Sequence, residues 1–109
     1  MFRVVTLERG LLTSNDFEEG TPNTFALEQN YPNPFNPTTN IKFALPKTAD
    51  VTLTIYNMLG QKVNTLINEK MTSGFHIVPF DASNLSSGMY IYRIQAGSFT
   101  STKKMLLIK

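Results

Sequence analysis

Short segments in which apolar and polar residues alternate one by one recur through most of the chain. Successive side chains of an extended strand point to opposite faces, so a period of two is typical of strands with one buried face. Turn-forming residues separate the segments at intervals of about eight to twelve residues, and helical periodicity is absent. The pattern therefore predicts an all-β fold, an antiparallel β-sandwich of about seven strands.

The alternation also predicts where the strands lie. We expect a short strand at 25–29, followed by strands at 39–45, 51–56, 61–67, 75–80, 89–95 and 99–109. A change of phase within 61–67 predicts a bulge, and 68–74 is expected to be a loop. Pro79 indicates an edge strand, because proline donates no hydrogen bond to a neighbour. Tyr90 and Tyr92 alternate in phase with Ile94, which favours a core role over an exposed platform that stacks on sugars.

A proline-rich segment lies between the first two expected strands. Prolines at 32, 34 and 37 fix φ and remove three backbone donors, which excludes a helix or an inner strand. We expect a stiff crossover there, with Tyr31 and Phe35 packed inward. Ahead of it, residues 1–24 form a strand-like segment and a polar linker, and residues 25–109 form the domain.

The composition offers few groups for catalysis or cofactor binding. The 109 residues include no cysteine and one histidine, His76, without a Gly-x-Ser-x-Gly motif or a phosphate-binding glycine loop. Asp16, Glu18 and Glu19 lack the spacing of a calcium loop and indicate a solvated linker. The net charge of +2 is too small to indicate nucleic-acid binding. We therefore expect no enzyme activity, no cofactor, no metal site and no nucleic-acid partner.

Two expectations concern membranes and export. Apolar runs are too short to span a bilayer, so we expect no membrane span. Residues 1–10 lack the apolar centre and cleavage site of a signal peptide, so any export signal is expected outside this sequence.

The last seven residues differ from the other strands. Two lysines, four apolar residues and a final lysine close a part of the chain that, from Thr38 onward, holds eight basic and three acidic residues. In a strand, Met105 and Leu107 point one way while Leu106 and Ile108 point the other. This leaves two alternatives open. The strand is buried on both sides, or covered by residues 1–12; or it is a terminal signal that a partner binds by strand addition or in a groove.

Four stretches follow one another in a distinctive order: NYPNPFNPTTNI at 30–41, VTLTIYNMLGQKV at 51–63, FDASNLSSGMY at 80–90 and KKMLLIK at 103–109. Together they resemble the type A C-terminal sorting domain of the type IX (Por) secretion system, over about residues 25–109. A looser similarity runs to the immunoglobulin-like domain of flagellar hook-capping proteins. The resemblance implies an immunoglobulin-like sandwich.

The resemblance also implies a function and partners. Such a domain follows an upstream cargo domain; a signal peptide takes the precursor to the periplasm, and the sorting domain then directs it through the outer-membrane components of the secretion system. A sortase-like peptidase then cleaves ahead of the domain, here within 13–24, and the cargo is attached to the cell surface or released. The last strand is the critical signal in the family, which corresponds here to Lys103, Lys104, Met105, Leu106, Leu107, Ile108 and Lys109. Pro32, Pro34, Pro37, Gly60 and Gly88 correspond to structural turns. The alternative function is a structural or adhesive module that binds polysaccharide or self-assembles through open edges.

Overall fold

The computed structural model describes residues 22–109, so the strand-like segment at 1–12 and most of the linker lie outside the described residues. The described part contains seven strands and no helix. They are β1 (Ala26–Leu27), β2 (Thr38–Leu45), β3 (Ala49–Asn57), β4 (Lys62–Met71), β5 (Gly74–Asp81), β6 (Gly88–Ala96) and β7 (Phe99–Leu107). The prediction of an all-β chain with about seven strands is confirmed.

The strands form two antiparallel sheets that pack face to face. Sheet A has the order β1-β2-β5, and sheet B has the order β4-β3-β6-β7. The chain crosses between the sheets after β2, after β4 and after β5, and each other connection joins two strands of the same sheet. The predicted β-sandwich is therefore confirmed, and β5 is an edge strand as Pro79 indicated.

The core lies between the sheets and follows the alternation. On β3, Val51, Leu53 and Ile55 are buried, and on β6 the inward residues include Tyr92 and Ile94. The two tyrosines of β6 are both buried, so the predicted core role of Tyr90 and Tyr92 is confirmed. Burial of this apolar surface is the main favourable term in folding, at about 25 cal/mol per Å².

Strand β4 corrects one boundary and confirms one irregularity. The expected loop at 68–74 is wrong in its first half, because β4 continues to Met71 by pairing with the early start of β3 at Ala49. The register shifts between Leu53 and Thr54, and again between Ile55 and Tyr56, so β4 carries two bulges where one was predicted. A bulge leaves one residue unpaired and bends the strand.

The proline-rich segment is ordered, and one of its two aromatic residues is inward. Phe35 is buried against Phe80, with ring centroids 6.3 Å apart, as predicted. The inward position of Tyr31 is wrong, since its side chain is 80% exposed. Tyr31 pairs with Asn40, and residues directly opposite each other in such a pair lie on the same face. Because Asn40 lies on the outer face of sheet A, Tyr31 also points outward.

Candidate functional site

The last strand contributes to the core and to the surface at once. Met105 and Leu107 are 0% and 1% exposed and pack among the inward residues of both sheets. Leu106, between them, is half-buried, and Ile108 is 48% exposed. The first alternative, a strand buried on both sides, is therefore wrong for Ile108. Coverage by residues 1–12 lies outside the described residues.

Strand β7 is held along its whole length by β6. Nine pairs run without a register shift, from Gly88 opposite Leu107 to Ala96 opposite Phe99. Because one face is buried, a slip by one residue would exchange Met105 and Leu107 for their outward neighbours. The register therefore fixes which side chains of the last strand reach solvent.

The other edge of β7 is capped by the segment around the prolines. The Leu106 carbonyl accepts a hydrogen bond from the Phe35 amide at 2.9 Å, and the Ile108 amide donates to the Phe35 carbonyl at 2.9 Å. The Asn33 Oδ1 accepts from the Leu106 amide at 2.9 Å, and the Gln29 side chain donates to the Lys104 carbonyl at 2.7 Å. These bonds occupy the main-chain groups that an added strand would use.

A buried polar cluster anchors that capping segment to the core. The Tyr92 hydroxyl donates to the Glu28 carbonyl at 2.7 Å and accepts from the Asn30 amide at 2.8 Å. The Asn30 side chain donates to Thr39 Oγ1 at 3.0 Å and to the Pro32 carbonyl at 3.1 Å. Burial raises the pKa of Tyr92 to about 12, although the Asn30 amide opposes the shift.

The end of the chain is tied to the connection between β5 and β6. The Lys109 amide donates to Ser87 Oγ at 3.0 Å, and the Lys109 ammonium donates to the Ser83 carbonyl at 2.7 Å. Hydrogen bonds from the Ser83 hydroxyl and amide lower the pKa of Asp81, and the charge of Lys109 adds a smaller effect. The final lysine therefore lies in a defined place beside the last strand.

A family model described as a secretion system C-terminal sorting domain matches residues 29–109. The chain belongs to the type IX sorting domains. Proteins that carry such a domain are exported to the cell surface or the extracellular space, and the domain interacts with the type IX secretion machinery. A search of curated proteins returned no match.

The five residues that were expected at structural turns lie in two connections and at the start of one strand. Gly60 lies in the β3–β4 loop with φ of +83°, where a side chain would be strained, and Gly88 opens β6 with φ of +149°. Pro32, Pro34 and Pro37 belong to the segment that caps β7, and the three peptide bonds before them are cis.

The β3–β4 loop of the sorting domain was missed as a functional candidate. Met58 and Leu59 at its tip are 54% and 83% exposed, although both are large and apolar. Asn57 Oδ1 accepts from the amides of Leu59 and Gln61 at 2.9 and 3.0 Å, which holds the loop in one shape. Two apolar residues directly before a turn glycine were the signal that sequence reasoning passed over.

The remaining candidates for chemistry stay apart. His76 is half-buried, stacks on Phe43 and lies 2.8 Å from the Thr72 carbonyl through Nε2. Within residues 22–109, acidic and histidine side chains form no group of three that could hold a metal ion. The same residues contain no helix long and apolar enough to cross a membrane. Asp16, Glu18 and Glu19 lie outside the described residues.

Proposed function

We propose that this domain is a non-catalytic signal that directs an upstream cargo through the type IX translocon, by way of the periplasm, for attachment at the surface or release. Lys103, Lys104, Met105, Leu106, Leu107, Ile108 and Lys109 form its recognition strand. Outer-membrane components of the machinery and a sortase-like peptidase are the partners, with cleavage ahead of the domain.

The observation that carries this proposal is that alternate side chains of the last strand are buried in the core or exposed to solvent. Met105 and Leu107 fix the strand in the core, whereas Lys104, Leu106 and Ile108 remain available to a partner. Because β6 and the capping segment already bind both edges around Leu106, strand addition there would first require those bonds to break. Recognition of outward side chains on the folded strand is therefore favoured over strand addition.

The proposal is tested by changing only the outward side chains. A reporter with its own export signal is fused ahead of the full chain and expressed in a bacterium that has the type IX system. Leu106→Ser with Ile108→Ser is expected to lower the extracellular reporter by about tenfold or more, because central apolar contacts carry most binding energy. Thermal unfolding checks that the variant still folds.

The matched control is Phe75→Ser with Ile77→Ser, which removes two exposed apolar side chains from sheet A. Export of this control should stay at the level of the unchanged fusion. If the folded Leu106/Ile108 variant is exported as well as the unchanged fusion, the recognition strand is not the signal.

A second candidate function is a structural or adhesive module, and the edge of sheet A favours it. On the β1 side, Tyr31 and Glu28 form hydrogen bonds with the main chain of Asn40 and Lys42. The β5 residues opposite these two are Pro79 and Ile77, which therefore direct their main-chain groups away from β2, toward the open edge of the sheet. Among the described residues, nothing bonds that edge of β5. Concentration-dependent light scattering that Ile77→Lys abolishes, or glycan binding that survives loss of the outward β7 side chains, would support this function.

A further inference from the structure

We infer that the β3–β4 loop and the outer face of sheet B form a second contact surface for the same protein partner, which carries an apolar recess ringed by carboxylates. This inference rests on the proposed function and extends it from the last strand to the neighbouring loop. The surface comprises Tyr56, Met58, Leu59, Lys62, Met89, Ile91, Arg93, Lys104 and Leu106, and we call it the loop face.

The tip of the loop is rigid as well as apolar. Besides the two bonds to Asn57 Oδ1, the Asn57 amide donates to the Gln61 carbonyl and the Gly60 amide donates to the Asn57 carbonyl, both at 3.0 Å. The Asn57 side-chain amide also donates to Gln61 Oε1 at 2.8 Å. A loop held in this way loses little conformational entropy on binding, so Met58 and Leu59 are preorganised to contact a partner.

The loop adjoins the last strand through the outer face of sheet B. Gly60, Tyr56 and Ile91 line one shallow depression, together with Arg93 and Thr102. In register, Tyr56 lies opposite Ile91, and Ile91 lies opposite Lys104. Met89 pairs with Leu106 one step further along the same face. The exposed apolar groups of the loop and of β7 are therefore parts of one surface.

The charges of the loop face identify the partner's chemistry. Lys62 pairs with Tyr56, and Arg93 donates from Nη2 to the Tyr56 hydroxyl at 2.7 Å while its guanidinium lies 5.1 Å from that ring. Among residues 22–109, Asp50 is the acidic side chain on the strands of sheet B that shares the outer face, and it lies opposite Lys70 at the far end. Cations around an apolar centre fit a protein recess with an acidic rim, which also steers association at low salt.

The test uses the same reporter fusion with two variants of the loop face. Met58→Ser with Leu59→Ser removes the anchors, and Lys62→Glu reverses a charge at the rim. Both side chains of the first variant are exposed, so thermal unfolding should be unchanged within a few degrees. Each variant is expected to lower extracellular reporter several-fold. Phe75→Ser with Ile77→Ser and Lys47→Glu are matched controls, at positions far from the loop face, and should not change export.

The outcomes separate this inference from the proposed function. If the loop variants are exported normally while Leu106→Ser with Ile108→Ser is retained, the inference is wrong and the recognition strand stands. Vesicles of phosphatidylethanolamine with phosphatidylglycerol test a lipid occupant of the loop face. Sedimentation of the full chain with these vesicles, lost in the Met58/Leu59 variant, would overturn a protein partner.

Discussion

Strands β4 and β7 are the two edge strands of sheet B, yet they differ in burial, in register and in how their outer edges are protected. The side chains of β4 are exposed or half-buried, three of them are charged, and two bulges interrupt its ladder with β3. Strand β7 has an unbroken ladder, two fully buried side chains and a second edge that Phe35, Asn33 and Gln29 cap.

The difference shows how the last strand is kept in one shape. Chain ends are usually poorly ordered unless something ties them down. Here the final residues are tied on three sides, by β6, by the core and by the capping segment. Bulges and charges protect the edge of β4 against unwanted pairing, whereas the edge of β7 is protected by hydrogen bonds that also fix the position of its outward side chains.

The largest expected effect comes from inward-facing apolar side chains, which are compared between the two strands. Leu107→Ala should lower the free energy of unfolding by about 2–5 kcal/mol, because it leaves a cavity in the core. Ile67→Ala in β4, whose side chain is only half-buried, should cost clearly less. Urea unfolding of both variants measures the difference, and equal losses would mean that β7 is no better integrated than β4.

The next effect concerns the anchor of the capping segment. Tyr92→Phe removes one hydroxyl that serves two main-chain groups, and should cost about 1–3 kcal/mol of the free energy of unfolding. Since the folded domain raises the pKa of Tyr92 from about 10 to about 12, the hydroxyl's contribution is full below pH 10 and is lost as pH rises through 12. Urea midpoints from pH 8 to 12 should fall more steeply for the unchanged chain than for the variant.

A smaller effect is expected at the cap itself. Asn33→Ala removes the acceptor of the Leu106 amide and should cost about 1 kcal/mol. Amide hydrogen exchange at Leu106 should become faster, while the β4 amides keep their rates. Asn36→Ala is the matched control, since Asn36 is exposed in the same segment. An unchanged rate at Leu106 would show that the Asn33 bond does not protect β7.

The smallest effect is expected at Asp81, in the group of polar residues that holds Lys109. The pKa of Asp81 is lowered by Ser83 and Lys109, so its ionised form favours the folded domain above about pH 4, and this contribution disappears as pH falls below that value. Asp81→Asn should remove the corresponding pH dependence of thermal unfolding between pH 2.5 and 5. A variant with the same acid profile as the unchanged chain would exclude a role for this carboxylate.

The alternation of residues was enough to predict an all-β sandwich and most of its strands, because most strands have one buried face. It could not predict the end of β4, since Met71 is paired only because β3 begins at Ala49. Nor could it predict the cap on β7, because the bond from Leu106 to Asn33 joins residues 73 positions apart in sequence. The direction of Tyr31 depended on its pairing with Asn40, which a proline-rich sequence does not reveal.

A disulfide between β6 and β7 can measure whether the secretion machinery recognises β7 while the strand remains in the folded sheet. Ile91 and Lys104 are opposite each other on the outer face, in a pair that is not hydrogen-bonded, where the Cα atoms are about 4.5 Å apart and a disulfide fits. The chain has no other cysteine, so Ile91→Cys with Lys104→Cys forms one staple in an oxidising periplasm. Each single-cysteine variant carries one of the two side-chain losses, and the double variant reduced with dithiothreitol carries both losses without the staple.

We expect the stapled fusion to be exported as well as the same fusion reduced with dithiothreitol, because the two forms differ only in the staple. Export of the single variants alone, with the stapled domain held in the periplasm until it is reduced, would show that the last strand must leave the sandwich to be recognised.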